Sequence, residues 1–339
     1  VTDNSANHSL AAAQVIEPMC AIEGTGDGPS SDFYRFSMLA GERRSFSIHT
    51  QELRSSLDPV LRLLKVDGSL VLQADDDELG PDCRFEFACE QAEDFILEVF
   101  DSRFASAGAA YHLRIGDFPL VTQGFPMAVD SVQATRVEFL DRQGDVAATQ
   151  LISLANSQPG VAHVNVRVAE RRSSTWVPLW STTTPQRSEA DALAEQLTIP
   201  VGINGRLDQA GQIDEFRLQG AKGQALHIQA RTHSLGSPTL LHMRLLNAAG
   251  GTIAETKAAA ADEWVLDGTP AEDGELRLQV SDLLQRGGPS FTYALDIASA
   301  NSFSVALKAD AAVRDQFAIE LEHGAAAIDV EVLRSGYQG

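Results

Sequence analysis

The chain has 339 residues, with 47 acidic against 26 basic side chains and a net charge of −21. That balance argues against nucleic acid and anionic membranes as partners, since both are bound through clustered Lys and Arg. No run approaches the roughly 18 apolar residues of a spanning helix, so membrane insertion is not expected.

Read from the N-terminus, the apolar residues alternate with period two, the mark of half-buried strands. Tyr34, Phe36 and Met38 interleave with Arg35 and Ser37, and Phe85 and Phe87 with Arg84 and Glu86. Phe95, Leu97 and Val99, then Tyr111, Leu113 and Ile115, continue the pattern. Asp67-Gly68 predicts a tight hairpin between strands over 60–66 and 69–74, because Asp-Gly tolerates the positive φ angles of a primed turn. Cys83 and Cys89 fall on one strand about 20 Å apart, too far for a mutual disulfide. Cys20 reaches one of them only if its strand lies alongside, and three buried thiols is the simpler reading.

The stretch from Phe118 to about Thr184 carries strands over 135–141 and 162–169, with turns at Gln143-Gly144-Asp145 and Gln158-Pro159-Gly160. Trp176 and Trp180 share strand parity; exposed they would form a sugar-stacking platform, and the preferred reading places both in a core. Residues 182–192 are polar and aperiodic and read as a linker, with helix confined to 188–196.

The front half of the chain then returns. Ala12, Gln14, Pro18, Asp32, Arg35 and Gly41 reappear 182 positions later as Ala194, Gln196, Pro200, Asp214, Arg217 and Gly223. The run Arg62-Leu63-Leu64 returns as Arg244-Leu245-Leu246, Gly68 as Gly250 and Tyr111 as Tyr293. A match held at one offset predicts two copies of one domain. Strands of the second copy are expected over 215–218, 226–230, 240–246, 276–280 and 293–297, with a turn at Ala249-Gly250-Gly251. After Ser299 a new alternation begins at Phe303, Val305 and Leu307 and recurs at Phe317–Leu321 and Ile328–Val332. It has too few strands for a closed core, so the natural protein is expected to continue beyond it. The expected architecture is all-β: tandem antiparallel jelly-roll-like sandwiches at 1–117 and 186–299, an immunoglobulin-like sandwich at 118–185 between them, and 300–339 opening a further domain.

No nucleophile elbow, zincin helix, Walker loop or dinucleotide fingerprint occurs. No catalytic or organic-cofactor residue is therefore assigned, and the chain reads as non-enzymatic. His227, His233 and His242 read as strand or loop residues rather than zinc ligands. Hard ligands concentrate in Asp75-Asp76-Asp77-Glu78. Asp75 and Asp77 project to one side of an extended chain about 7 Å apart, and Asp58 and Asp101 end or begin neighbouring strands. Asp58, Asp75, Asp76, Asp77 and Asp101 are thus the candidate metal ligands, and calcium, which takes six to eight oxygens, is the cation they suit. A solvated acidic loop is the simpler alternative, since such charges repel only weakly in water. An EF-hand is rejected, because Leu79 stands at the fifth loop position and a strand follows. In the second copy Lys257, Ala258 and Ala259 replace the three aspartates and Leu240 replaces Asp58. The pairs Asp32/Asp214 and Asp101/Asp282 occur in both copies and are read as turn or strand-end caps.

Asp32-Phe33-Tyr34-Arg35-Phe36, Ala40-Gly41-Glu42, Ser56-Leu57-Asp58-Pro59-Val60-Leu61-Arg62-Leu63, Ala74-Asp75-Asp76 and Leu97-Glu98-Val99-Phe100-Asp101 resemble the bacterial pre-peptidase C-terminal domain found in large secreted planctomycete-type proteins. Asp214-Glu215-Phe216-Arg217-Leu218 with Gly220-Ala221-Lys222-Gly223 resembles a diverged second copy, and the region from Asp117-Phe118-Pro119 is similar to an IPT/TIG immunoglobulin-like domain. The resemblance implies sandwiches appended to secreted proteins, often peptidases, with Asp75 and Asp76 at the acidic pair of the family pattern and Asp101 at its final aspartate. The resulting expectation is a non-catalytic segment of an exported multidomain protein at the cell surface, in the periplasm or outside the cell. It would serve as a spacer and docking module for an extracellular protein or polysaccharide and contact neighbouring domains of its own chain. The alternative is the accessory region of a secreted hydrolase whose catalytic domain lies elsewhere.

Overall fold

The computed structural model describes the chain except residues 52, 77–79, 105–106, 142, 156–158, 169, 257–262, 300–301, 308–329 and 336–339. It is an all-β protein divided into two compact units, Val1–Val121 with Asn165–Trp176, and Thr122–Val164 with Val177–Gly339. Residues of the stretch 118–185 thus contribute to both.

In the first unit one sheet has the order Gln14–Val15, Asp32–Met38, Glu93–Asp101, Pro59–Lys65, Leu70–Ala74. The facing sheet runs Cys20–Gly26, Ala109–Gly116, Arg43–His49, Arg84–Ala88. Period two puts Tyr34, Phe36 and Met38 inward on one sheet and Phe46, Ile48, Leu113 and Ile115 inward on the other, and these side chains fill one core. Fully burying a side chain of this size contributes about 1.5–3 kcal/mol, so alternation alone drives the two sheets face to face.

The second unit repeats this order. Gln196–Leu197, Ile213–Gly220, Gly274–Asp282, Leu241–Asn247 and Thr252–Glu255 form one sheet. Gln186–Ser188, Val201–Arg206, Thr292–Ser299, Leu226–Arg231 and Val265–Gly268 form the other. Neighbours are antiparallel except at short edges: Gln14–Val15, Gln196–Leu197 and Gln186–Ser188 all add in parallel. The first copy has only an isolated parallel bridge, Thr2 to Glu23, on the edge that Gln186–Ser188 occupies in the second.

Two sequence expectations change here. Residues 182–192 are not a plain linker: they hold the Gln186–Ser188 edge strand and enter helix Glu189–Ala194, capped by Ser188 accepting from Asp191 N. A three-residue edge strand has too little apolar content to betray a period. The Asp67-Gly68 hairpin is present, but only Gly68 has positive φ, at 88°. Gly68 N donates to Lys65 O and Lys65 N to Ser69 O, which makes a turn closed by one left-handed glycine rather than a primed turn. Asn247 and Gly250 repeat the arrangement.

Between the copies, Val121–Phe125, Thr135–Asp141 and Val146–Ile152 form one three-stranded sheet, and Ala128–Asp130, Arg171–Thr182 and Gly160–Val168 form another. Trp180 packs with Met127, Ala128, Leu235 and Ala294 under the Arg231 guanidinium, 3.3 Å from the ring centre. Trp176 departs from the core reading, being 62% exposed. Near the C-terminus Ser302–Leu307 pairs antiparallel with Val330–Ser335; the alternation at Phe317–Leu321 lies outside the described residues. The three cysteines are free thiols, Cys83 and Cys89 buried and Cys20 partly so.

Candidate functional site

The acidic edge of the first sandwich is assembled by two strand ends. Asp58 immediately precedes strand Pro59–Lys65, and Asp75 and Asp76 follow strand Leu70–Ala74. These two strands pair through Leu61 and Ala74, so the hairpin brings three carboxylates from opposite ends of it together. Asp58, Asp75 and Asp76 each present an oxygen within 4.8 Å of the others. Burial, then Asp58, then Asp75, pushes the Asp76 carboxyl above its ordinary pKa. Asp58 Oδ2 accepts from Ser102 Oγ at 2.7 Å, whereas Oδ1 is buried and receives no hydrogen bond. Three grouped carboxylates, one of them with a buried oxygen that receives no hydrogen bond, fit a hard cation bound through oxygen. Arg103 stands nearby, its Nε 3.6 Å from Asp58 Oδ2.

Of the other candidate ligands, Asp101 is not in this group. Its Oδ1 accepts from Asp58 N and Arg103 N, which makes it a strand-end cap. Asp77 lies outside the described residues.

The second copy neutralises the same corner differently. Asp282 Oδ2 accepts from Leu240 N, and its Oδ1 from Leu284 N and Arg286 N. The Arg286 guanidinium sits on both oxygens, at 3.2 and 3.0 Å. Burial alone would raise Asp282, yet the Arg286 and backbone hydrogen bonds hold it below its ordinary value.

A second polar centre joins the two sheets of each sandwich. Asp32 and Asp214 are not turn caps: each is buried and accepts from a tyrosine of the opposite sheet, Tyr111 and Tyr293, at 2.6 Å. In the first copy the chain runs on, since the Tyr111 and Tyr34 hydroxyls are 2.5 Å apart and Tyr34 reaches Asp3 Oδ1 at 2.7 Å. Burial pushes Asp32 up to about 6, against the pull of the Tyr111 hydrogen bond. The signal available in the sequence was Gly24 and Gly205, each within a strand, where a glycine marks a close approach. Among the histidines of the second copy, His227 pairs with Asp267 and His242 with Glu255, each a single surface contact rather than a shared site.

No protein-family profile matches the sequence, and no curated protein does. Among solved structures, the chain is similar to the pre-peptidase C-terminal domain of a Bacillus anthracis collagenase, with 15% identity over 31% of this chain and 94% of that one and a TM-score of 0.26. It is also similar to PliG, a periplasmic inhibitor of g-type lysozyme from Aeromonas hydrophila, at 12% identity over 31% and 96% of the two chains and a TM-score of 0.23. The tandem CBM51 modules of a Streptococcus pneumoniae family 98 glycoside hydrolase give 10% identity over 82% and 83%, with a TM-score of 0.21. At such TM-scores these likenesses settle neither family nor activity. No helix among the described residues is long and apolar enough to cross a membrane.

Proposed function

We propose that the chain is a non-catalytic segment of an exported multidomain protein, a spacer and docking module for an extracellular protein or polysaccharide. On this reading 1–117 and 186–299 are pre-peptidase C-terminal-like sandwiches, 118–185 is an IPT/TIG-like sandwich, and 300–339 opens a further β domain. The observation that carries it is a repeated strand order, β-sheets of matching connectivity occurring twice, each time around a core closed by its own side chains. A repeated body with a filled interior suits reach and surface contact better than a single reaction centre.

Calcium belongs to the same proposal. Asp58, Asp75 and Asp76 would hold it in the first copy, tying the end of one strand to the start of another. In the second copy Arg286 supplies a permanent positive charge on Asp282 instead.

The test is retention of the purified chain on insoluble polysaccharides and fibrous protein, run beside hydrolysis of a panel of fluorogenic ester, peptide and glycoside substrates. Depletion by at least one solid phase with no turnover is the expected result. Turnover that survives repurification would overturn the non-catalytic reading, and absence of retention on every phase would remove the docking role.

A further inference from the structure

Next to the Asp32–Tyr111 pair lies a second set of metal-ligating side chains, all within the first unit. His8, Asp27 and Asp32 each offer a ligand atom within 4.8 Å of the others. His8 Nε2 is 3.2 Å from Asp27 Oδ2, and Nδ1 is 3.4 Å from Asp32 Oδ1 and 3.3 Å from the Ser31 carbonyl oxygen. Asp32 is only 3% exposed. Its Oδ2 is engaged by Tyr111, while Oδ1, aimed at this cluster, receives no hydrogen bond.

The second copy is an internal control. Asp214 keeps the tyrosine bond, but its Oδ1 accepts from Gln212 Nε2 at 2.8 Å. At the 182-residue offset Ser30 stands where the second copy has Gln212, and His8 where it has Ala190. One copy thus closes the buried acceptor with a neutral amide. The other removes that donor and sets an imidazole and a second carboxylate in front of the open oxygen.

We infer that His8, Asp27 and Asp32 form a binding site for a divalent transition metal of the zinc class, present in the first sandwich alone. One imidazole and two carboxylates make a mixed nitrogen and oxygen donor set, which suits zinc or cobalt and is poorly matched to calcium. Ligands about 2.0–2.2 Å from a tetrahedral ion stand roughly 3.3–3.5 Å apart, close to the 3.2 Å between His8 Nε2 and Asp27 Oδ2, and a ligand atom of Asp32 lies within 4.8 Å of both. Coordination through Nε2 leaves Nδ1–H to donate to the Ser31 carbonyl, the outer hydrogen bond that ordinarily fixes a ligating histidine. Tyr111 does the same for Asp32. The metal ties the segment before the first strand to the sandwich, and solvent completes its shell.

The experiment uses the untagged full chain after chelator treatment, titrated with Co2+ as a spectroscopic probe and with Zn2+ by calorimetry. One equivalent of Co2+ should give the visible band of a four- or five-coordinate ion, bleached by Zn2+ and unaffected by excess Ca2+. His8→Ala and Asp27→Asn, each checked for an unchanged far-ultraviolet circular dichroism spectrum, should weaken binding at least about ten-fold. Asp75→Asn should leave it as it is. No band, or a band of equal affinity in folded His8→Ala, would overturn the assignment and point to surface pairs such as His227 with Asp267.

Discussion

Tyr111 donates to Asp32 across the gap between two sheets, and it stands directly opposite Gly24 in its own sheet. Tyr293 repeats both relations with Asp214 and Gly205. The hydroxyl is therefore a fixed strut between layers. Tyr111→Phe should destabilise the first sandwich by about 1–3 kcal/mol, because it leaves a buried carboxylate short of a donor. Tyr293→Phe should cost less, since Gln212 still serves Asp214. Calorimetric scans of the two single variants measure the difference directly. Equal shifts would mean that the Gln212 hydrogen bond gives Asp214 no protection against loss of its tyrosine.

The glycines opposite these rings are required for space rather than for backbone freedom. A Cβ at Gly24 would collide with the Tyr111 ring, and one at Gly205 with the Tyr293 ring. Gly24→Ala and Gly205→Ala should each lower stability by about 1–3 kcal/mol through overpacking. Combining Gly24→Ala with Tyr111→Leu should recover part of the steric loss, so that the two changes are non-additive in urea unfolding. Strict additivity would show that the ring is not what the added methyl meets.

His49 supplies a pH dependence with a definite sign. It is buried, its Nε2 is 3.0 Å from Ser47 Oγ, and burial followed by Arg84, Arg114 and His112 pushes its pKa down to about 4. Between about pH 6.5 and 4 the unfolded chain takes up a proton that folded His49 refuses. The unfolded state then binds more protons, so stability falls as pH falls through this window. The contribution is roughly 3 kcal/mol across the whole interval. His49→Gln should flatten that part of a plot of urea midpoint against pH, and an unchanged slope would assign the acid sensitivity to other groups.

Sandwich architecture was legible because alternating apolar residues must face a core, and the constant offset in the sequence falls where one strand order occurs twice. The edge strand Gln186–Ser188 was illegible because a strand of three polar residues has no period to detect. The Tyr111–Asp32 strut was half visible: both residues recur in the second copy, but only the fold shows that they sit on opposite sheets. His8 carried no local signal at all. It meets Asp27 and Asp32 because the segment before the first strand lies beside the entry to Asp32–Met38, a proximity that no spacing rule encodes.

The acidic edge yields a prediction whose sign reverses with calcium. In chelator, Asp58, Asp75 and Asp76 repel one another across less than 4.8 Å, so Asp76→Asn should slightly raise the melting midpoint of the first sandwich. In millimolar calcium the same carboxylates become ligands, and a cation that binds only the folded state stabilises it by mass action. The wild-type midpoint should then rise, while Asp76→Asn, lacking a ligand charge, should rise less and fall below it. Arg286→Gln provides the matching control in the second sandwich. It removes the resident guanidinium from Asp282, destabilises in both conditions, and gains nothing from calcium, because Leu240 leaves no carboxylate to complete a site. If Asp76→Asn keeps the higher midpoint at every calcium concentration, the edge is a solvated acidic loop and the ion has no part in the fold.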